Sequence, residues 1–310
     1  MRYKGWMGMI LFGFHNMVLM SFENLRYDRA KVVAEIGCNH QGDFDKALEL
    51  IRLAQQSGAD YAKFQKRDPR TLLTEEQYNT PHRVSYHAFG ETYGAHREFL
   101  EFDMEQHKEL KAYCENLDIA YACSVWDIPS AHDIIALNPA YIKVPSACNN
   151  HIELLKLLRD SFAGDVHISL GMSSREEESS IEEVFEAHRD RLVLYACTSA
   201  YPVDFDNVCL LEIRRLLDNR TSGEQSVGFS GHHLGIAIDI AAYTLGASWI
   251  ERHFTKDRTW KGTDHAASLE PAGLGKLVRD LSVTYRSLSF KSSDLLEIEK
   301  EQREKLKHKN

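Results

Sequence analysis

Two lysines lie inside short apolar runs: Lys63 in Asp60–Phe64 (DYAKF) and Lys143 in Tyr141–Val144 (YIKV). A buried ammonium is costly unless it meets an anion or forms a Schiff base. Amides and hydroxyls flank both, with Gln65 after the first run and Ser146 after the second. Two lysines so flanked point to one ligand carrying phosphate and carboxylate more than to a single imine. For either alone, a snorkelling or salt-bridged structural role is the alternative. A second constellation is His232 and His253, each just beyond or at the end of an apolar run, with Asp264 eleven residues further on. Two imidazoles at equivalent positions could share one divalent metal, and Cys38 is a further possible ligand. A lone histidine is more often a satisfied core residue, so the argument rests on the pair.

These residues need elements to hold them. From residue 31 the chain alternates short apolar runs with amphipathic stretches. The strand candidates are Lys31–Ile36, Asp60–Phe64, Ile119–Ser124, Tyr141–Val144, Val166–Leu170, Leu192–Ala196, Ser226–Phe229 and Trp249–Glu251. They are apolar on successive positions, as strands buried on both faces must be. A helix-like segment follows each. After the first strand Asp43 stands at an N-cap position, Ala47, Leu50, Ile51 and Ala54 repeat at helical spacing, and Gly58 stops the helix. The last helix opens on Pro271, favoured at a first helical position. Eight such units in about 250 residues is the arithmetic of a (β/α)8 TIM barrel. A doubly wound open sheet is the runner-up, but no GxGxxG follows any strand. The connection from Lys66 to Asp103 is oversized for a barrel loop, and connections of that length are usually functional or mobile. It is expected to lie over the barrel mouth.

In such a barrel the C-terminal ends of the strands carry the chemistry. Read there, the chain offers Glu35, Asn39 and His40, then Lys63 and Gln65, then Ser124 and Asp127, then Lys143 and Ser146. The later strands add Ser169, Ser199 and Tyr201, then Ser230, His232 and His233, then Glu251 and His253, with Asp264 and His265 in the last loop.

The 310 residues carry a formal charge of −9, which argues against a nucleic-acid partner while leaving room for an anionic substrate in a locally basic cleft. The apolar fraction of 43% and charged fraction of 27% exclude a disordered or fibrous chain. Six cysteines without a CxxC pair read as free thiols in a reducing cytoplasm. Trp6–Met20 imitates a signal peptide, but it holds His15 and Asn16, lacks a small-residue cleavage site and is shorter than the ~20 residues of a membrane span. An extension upstream of a start at Met20 is the better reading, and no membrane association is expected. The expected division is an N-terminal extension over 1–30, the barrel over 31–290 and a charged, solvated tail over 291–310.

With the strands in order, the motifs resemble the sialic acid synthase family. They are Ala34-Glu-Ile-Gly-Cys-Asn-His40, Gly58-Ala-Asp-Tyr-Ala-Lys-Phe-Gln65, Ile142-Lys-Val-Pro-Ser146, Ser169-Leu-Gly-Met172, Cys197 to Pro202, Gly228-Phe-Ser-Gly-His232, Ile250-Glu-Arg-His-Phe254 and Gly262-Thr-Asp-His265. The resemblance implies a cytoplasmic homodimeric barrel enzyme that condenses phosphoenolpyruvate with an open-chain N-acylated hexosamine, N-acetylmannosamine favoured. The product is a nine-carbon 2-keto-3-deoxy sugar acid plus phosphate. By position it implies phosphoenolpyruvate contacts from Lys63, Lys143, Ser146, Ser169, Ser230 and, where the family often has Asn, Ser199. It implies a divalent metal, Mn2+ or Mg2+, on His232 and His253. Glu35, Gln65, Tyr201 and Asp264 match acceptor-side groups, with Glu35 or Asp264 placed to manage a proton.

The chain departs from the family at Gly231, often Asp, and at Val125-Trp126, which replaces a common Thr-Pro-Phe stretch. It ends at Asn310, in what resembles the linker to a small antifreeze-like domain that lends an arginine to a partner's acceptor site. Arg97, in the long connection, is the expected replacement. Synthases that use an aldose phosphate, of the 3-deoxy-octulosonate or 3-deoxy-heptulosonate kind, are the related alternative. An inactive sugar-acid-binding barrel is the other, although such a barrel should have lost a lysine or histidine position and none is lost.

Overall fold

In the computed structural model, which describes residues 27–219 and 225–308, eight parallel strands close into one barrel in sequence order. They are β1 (Lys31–Gly37), β2 (Tyr61–Lys66), β3 (Ala120–Val125), β4 (Tyr141–Val144), β5 (Asp165–Ser169), β6 (Leu192–Cys197), β7 (Ser226–Gly231) and β8 (Trp249–His253). The barrel expectation holds, with each strand shifted or lengthened by no more than a residue or two. Residues 1–19, assigned to an upstream extension, lie outside the described residues.

The helices form where their sequence signals stand. In Phe44–Gln56 the Asp43 side chain accepts from the Lys46 N–H at 3.0 Å, satisfying one of the free donors of the first turn. Ala47, Leu50, Ile51 and Ala54 are wholly buried against the sheet, and Gly58 follows at φ +86°, a conformation costly for residues with a Cβ. Pro271 opens the helix Pro271–Ser287, which buries Leu274, Leu277 and Leu281. The helix Glu297–Leu306 buries nothing. Among the described residues no helix is long and apolar enough to cross a membrane.

The inside of the barrel is layered by the two-residue period of the strands. Its lower part is a plug of Val33, Ala122, Tyr141, Val193, Tyr195 and Trp249, with Tyr61 against it. Tyr141 stacks on His167 at 3.8 Å between ring centroids, and Trp249 meets both edge-on. Two residues further along the strands the side chains turn polar. Val33 gives way to Glu35, Tyr61 to Lys63, Ala122 to Ser124, Tyr141 to Lys143, His167 to Ser169, Gly228 to Ser230 and Trp249 to Glu251. The aromatic plug is therefore the floor of a polar chamber.

The connection from Lys66 to Asp103 is not one loop. It folds into Pro69–Leu72, Glu75–Asn79, a 3-10 turn at Ser85–His87 and Tyr93–Leu100, each entered through a capped or proline-bearing turn except the 3-10 piece. It crosses the mouth and is tied to the loop after β8, where the Gly262 N–H donates to His87 Nδ1 at 3.1 Å. The Lys261 ammonium sits 4.5 Å from the centre of the Phe89 ring.

Candidate active site

The thirteen residues expected to hold donor, acceptor or metal all line one cavity of about 740 Å3 at the C-terminal ends of the strands, whereas His40, Asp127, His233 and His265, also offered at strand ends, do not. Its deep end is built on register. Glu35 of β1 lies level with Lys63 of β2 on one side and His253 of β8 on the other. Ser124 lies level with Lys143, and Ser230 with Glu251.

Lys63 and Lys143 are 2% and 3% exposed. Lys63 is ion-paired with Glu35, donates to Ser124 Oγ at 2.8 Å and lies 3.6 Å from Glu251. Lys143 donates to Glu251 Oε1 at 2.6 Å and lies over the Tyr195 ring. The same carboxylate oxygen accepts from Ser230 Oγ at 3.3 Å, and Gln65 donates to Glu35 at 2.7 Å. Two cations and two carboxylates thus share a buried site, and the salt-bridged role considered for each lysine is realised for both. Glu251 joins them, although the sequence had offered it only as a strand-end residue.

The charges shape one another's titration. Burial disfavours charge on Lys63, but Glu251 and Glu35 outweigh it and raise its pKa. Burial lowers that of Lys143, which has one carboxylate partner and Lys63 as a neighbouring cation. Burial would raise Glu251, yet Lys143 and Lys63 hold it down to about 2. Lys63 and Glu251 therefore keep their charges at neutral pH.

At the same end of the cavity, Ser146 and Ser199 stand against Gly171. A Cβ on that glycine would stand 2.4 Å from Ser199 Oγ and 2.6 Å from Ser146 Oγ, so the glycine leaves a hollow among hydroxyls. Ser199 Oγ is buried without a hydrogen-bond partner.

His232 and His253 face each other with ring centroids 5.4 Å apart, and Tyr201 packs on both. His232 Nδ1 meets the Thr198 carbonyl at 3.0 Å; it must donate there, which leaves the Nε2 lone pair free. Burial, then His253, depresses the His232 pKa to about 3, so the ring is neutral. His253 Nδ1 is buried without a partner. Among the described residues no third histidine, cysteine, aspartate or glutamate completes a ligand set with them. Cys38, considered as one, instead takes a hydrogen bond from Arg67 at 2.6 Å.

The mouth is lined by Asp264, Arg97 and the segment crossing it. Burial works against the Asp264 charge, but His253, a hydrogen bond from Thr263 and then Arg97 hold its pKa below the usual range. Arg97 donates to Tyr93 OH at 2.9 Å, and no ion pair to it is found among the described residues. Arg67, which sequence reasoning missed, is pinned by Glu101 at 2.6 Å and lies over the Trp126 ring. Its signal was a charged side chain one residue past a strand that already carried two polar inward positions.

Other strand-end residues hold the scaffold. Asn39 donates to the Phe254 carbonyl and to Ser268, His40 stacks on Phe102 at 4.1 Å, and His265 bonds Thr255. Asp127 caps the helix Ile128–Leu137 and accepts from the Asp68 N–H at 2.7 Å, fixing the start of the mouth-crossing segment.

The sequence profile of the NeuB family matches residues 50–292. The chain is 38% identical over 275 residues to the N-acetylneuraminate-9-phosphate synthase of Homo sapiens, covering 89% of this chain and 76% of that one. It is 34% identical over 252 residues to the N,N'-diacetyllegionaminic acid synthase of Campylobacter jejuni, covering 79% and 73%. The crystal structure of the N-acetylneuraminic acid (sialic acid) synthetase of Leptospira borgpetersenii in complex with citrate superimposes with a TM-score of 0.76 at 28% identity, covering 94% of this chain and 98% of that one.

Proposed function

Because this chain belongs to the NeuB family of synthases, we propose that it condenses phosphoenolpyruvate with the open-chain aldehyde of an N-acylated hexosamine, N-acetylmannosamine first among them. The product is a 2-keto-3-deoxy nonulosonic acid, and phosphate is released. One observation carries the reading: two buried lysines beside a ring of serine hydroxyls at the floor of a strand-end cavity.

Lys63 and Lys143 neutralise the trianionic donor, and Ser146, Ser169, Ser199 and Ser230 donate to its oxygens. Glu35 and Glu251 balance the lysines before the donor arrives. The enol carbon C3 attacks the aldehyde carbon, forming the C–C bond as the aldehyde oxygen takes a proton. Water then adds at C2, and the C2–O bond to phosphate breaks. Glu35, turned toward the donor end by Lys63 and Gln65, is the carboxylate placed to take the proton of that water. Asp264, ionised at the mouth, accepts from sugar hydroxyls, while Tyr201 and Gln65 add acceptor contacts.

The two imidazoles fit a divalent ion with open positions: His232 presents a neutral nitrogen oriented by a backbone carbonyl, His253 Nδ1 is buried without a hydrogen-bond partner, and among the described residues no third protein ligand closes the set. His232 and His253 would hold Mn2+ or Mg2+, which when bound polarises the acceptor carbonyl. A second reading concerns the acceptor alone: the guanidinium of Arg97, which makes no ion pair among the described residues although Asp264 shares the mouth with it, favours an acceptor with a phosphate on its distal carbon.

Phosphate release from phosphoenolpyruvate, measured across aldoses with and without a terminal phosphate, tests both readings. Turnover is expected with N-acylated hexosamines; none with any aldose refutes the function. Chelation should abolish turnover and Mn2+ or Mg2+ restore it, and a His253→Ala protein of undiminished activity would sink the metal assignment.

A further inference from the structure

Between Glu251 and His253, whose side chains face the cavity, Arg252 points the other way, into the layer between strand and helix. It is 1% exposed, the largest fully buried side chain among the described residues. Its guanidinium is almost fully spoken for. Nη1 donates to the Gly235 carbonyl at 2.7 Å and to Asp239 Oδ2 at 2.6 Å, and lies 3.1 Å from His233 Nε2. Nη2 donates to the His233 carbonyl at 2.6 Å and reaches the Ala267 carbonyl at 3.4 Å.

The acceptors fall in two loops. His233 and Gly235 belong to the loop after β7, beginning one residue past His232. Ala267 follows Asp264 by three residues, in the loop after β8. Asp239, wholly buried in the first turn of Ala237–Thr244, balances the charge without reaching the cavity. The loop is shaped to admit this arrangement. A Cβ at Gly231 would stand 2.8 Å from the His233 ring and 2.8 Å from Phe229, so the small residue that departs from the family pattern makes room for that imidazole.

We propose that Arg252 is a positioning residue: one planar fork sets the spacing of His232, His253 and Asp264 by holding the carbonyls of their loops to β8. Five donors in fixed geometry can bind carbonyls on two loops and a carboxylate together, whereas an ammonium on a flexible stem cannot. The inference rests on the reading of His232 and His253 as metal ligands, and the test separates the two.

Binding of Mn2+ is measured by electron paramagnetic resonance of the free ion, and binding of phosphoenolpyruvate by calorimetry. The proteins are the full chain, Arg252→Lys and Asp239→Asn. Arg252→Lys is expected to weaken Mn2+ binding at least tenfold and to leave phosphoenolpyruvate affinity within twofold, because Lys63, Lys143, Ser146 and Ser169 stand on or just after β2, β4 and β5, and Ser230 and Glu251 lie within their strands, before the loops that Arg252 holds. Asp239→Asn keeps the carbonyl bonds, so it should melt lower yet bind Mn2+ within twofold of the parent. Unchanged Mn2+ affinity in Arg252→Lys overturns the proposal. So does an equal loss in Asp239→Asn, or loss of both ligands together, since these would place the effect in general stability. Should Arg252→Lys not fold, the charge-neutral pair Arg252→Gln/Asp239→Asn carries the same expectation and the same overturning result. A parent chain that binds no Mn2+ overturns the metal reading and this inference with it; a variant result overturns this inference alone.

Discussion

Replacing Glu251 with Gln removes one charge from a buried group of four while keeping the shape of the side chain. Lys143, 2.6 Å away, loses its only carboxylate partner among the described residues, and Lys63, 3.6 Å away, keeps Glu35. Deleting one partner of a buried ion pair costs about 3–5 kcal/mol, because the charge left behind has no compensation. The amide can still accept from Lys143 and Ser230, which puts the expected loss near the lower limit, about 3 kcal/mol. In a chain of this size each kcal/mol moves the melting temperature by about 2–4 °C, so Glu251→Gln should melt roughly 6–12 °C below the parent. Denaturant unfolding gives the free energy and scanning calorimetry the temperature. Inorganic phosphate should recover more of that loss in the variant than it adds to the parent, since an anion restores the missing charge. Lys143→Met in the same background removes the stranded cation, and the double variant should be about 2 kcal/mol more stable than the two single losses added together. A Glu251→Gln protein melting within 2 °C of the parent, or losses that simply add, would show that the four charges do not act as a unit.

Arg97→Ala should raise the acceptor KM or lower kcat while leaving the phosphoenolpyruvate KM nearly unchanged; an equal effect on both substrates, or on neither, would remove the mouth-crossing segment from the acceptor site. Gly171→Ala pushes a methyl between Ser146 and Ser199, so the phosphoenolpyruvate KM should rise by about tenfold or more with the acceptor KM little changed, and an unaltered donor KM would contradict the hollow described. Stability should fall in mild acid: burial depresses His40 and His107 to about 3, so the unfolded chain takes up protons below about 6.5 that the folded chain refuses. Their contribution is complete above that pH, and by pH 5 each has cost about 2 kcal/mol; denaturation midpoints equal at pH 7.5 and 5.0 would refute this.

The barrel and the membership of its cavity were legible because both follow from local rules. Strands buried on two faces are continuous apolar runs, and polar residues at their C-terminal ends have one place to go. Lys63, Lys143, His232 and His253 stood out because their types are expensive in such runs. The partners were harder to read. Glu251 sits in Trp-Ile-Glu-Arg-His, where strand alternation puts Glu251 and His253 inside and Arg252 outside, but a carboxylate becomes informative only once two buried cations are known to need one. Arg67 and Trp126 enter the cavity through loops whose paths no periodicity fixes. The folding of Lys66–Asp103 into short helices was hidden because five-residue segments bury too little to leave a pattern. Asp127, read as a cavity candidate, serves as a cap, a role the same residue type fills equally well.

The aromatic plug beneath the lysines makes the chamber a vessel open at one end. Whatever binds at the floor passes the mouth first, and whatever binds at the mouth blocks the way down. If the donor belongs to the lysines and the acceptor to Asp264 and Arg97, traffic is ordered: donor in, acceptor in, reaction, and a product spanning both positions that must clear before the next donor descends. Acceptor in excess, arriving before the donor, would then obstruct turnover, a kinetic consequence of Tyr141, Tyr195 and Trp249, side chains set below the level of the reacting groups.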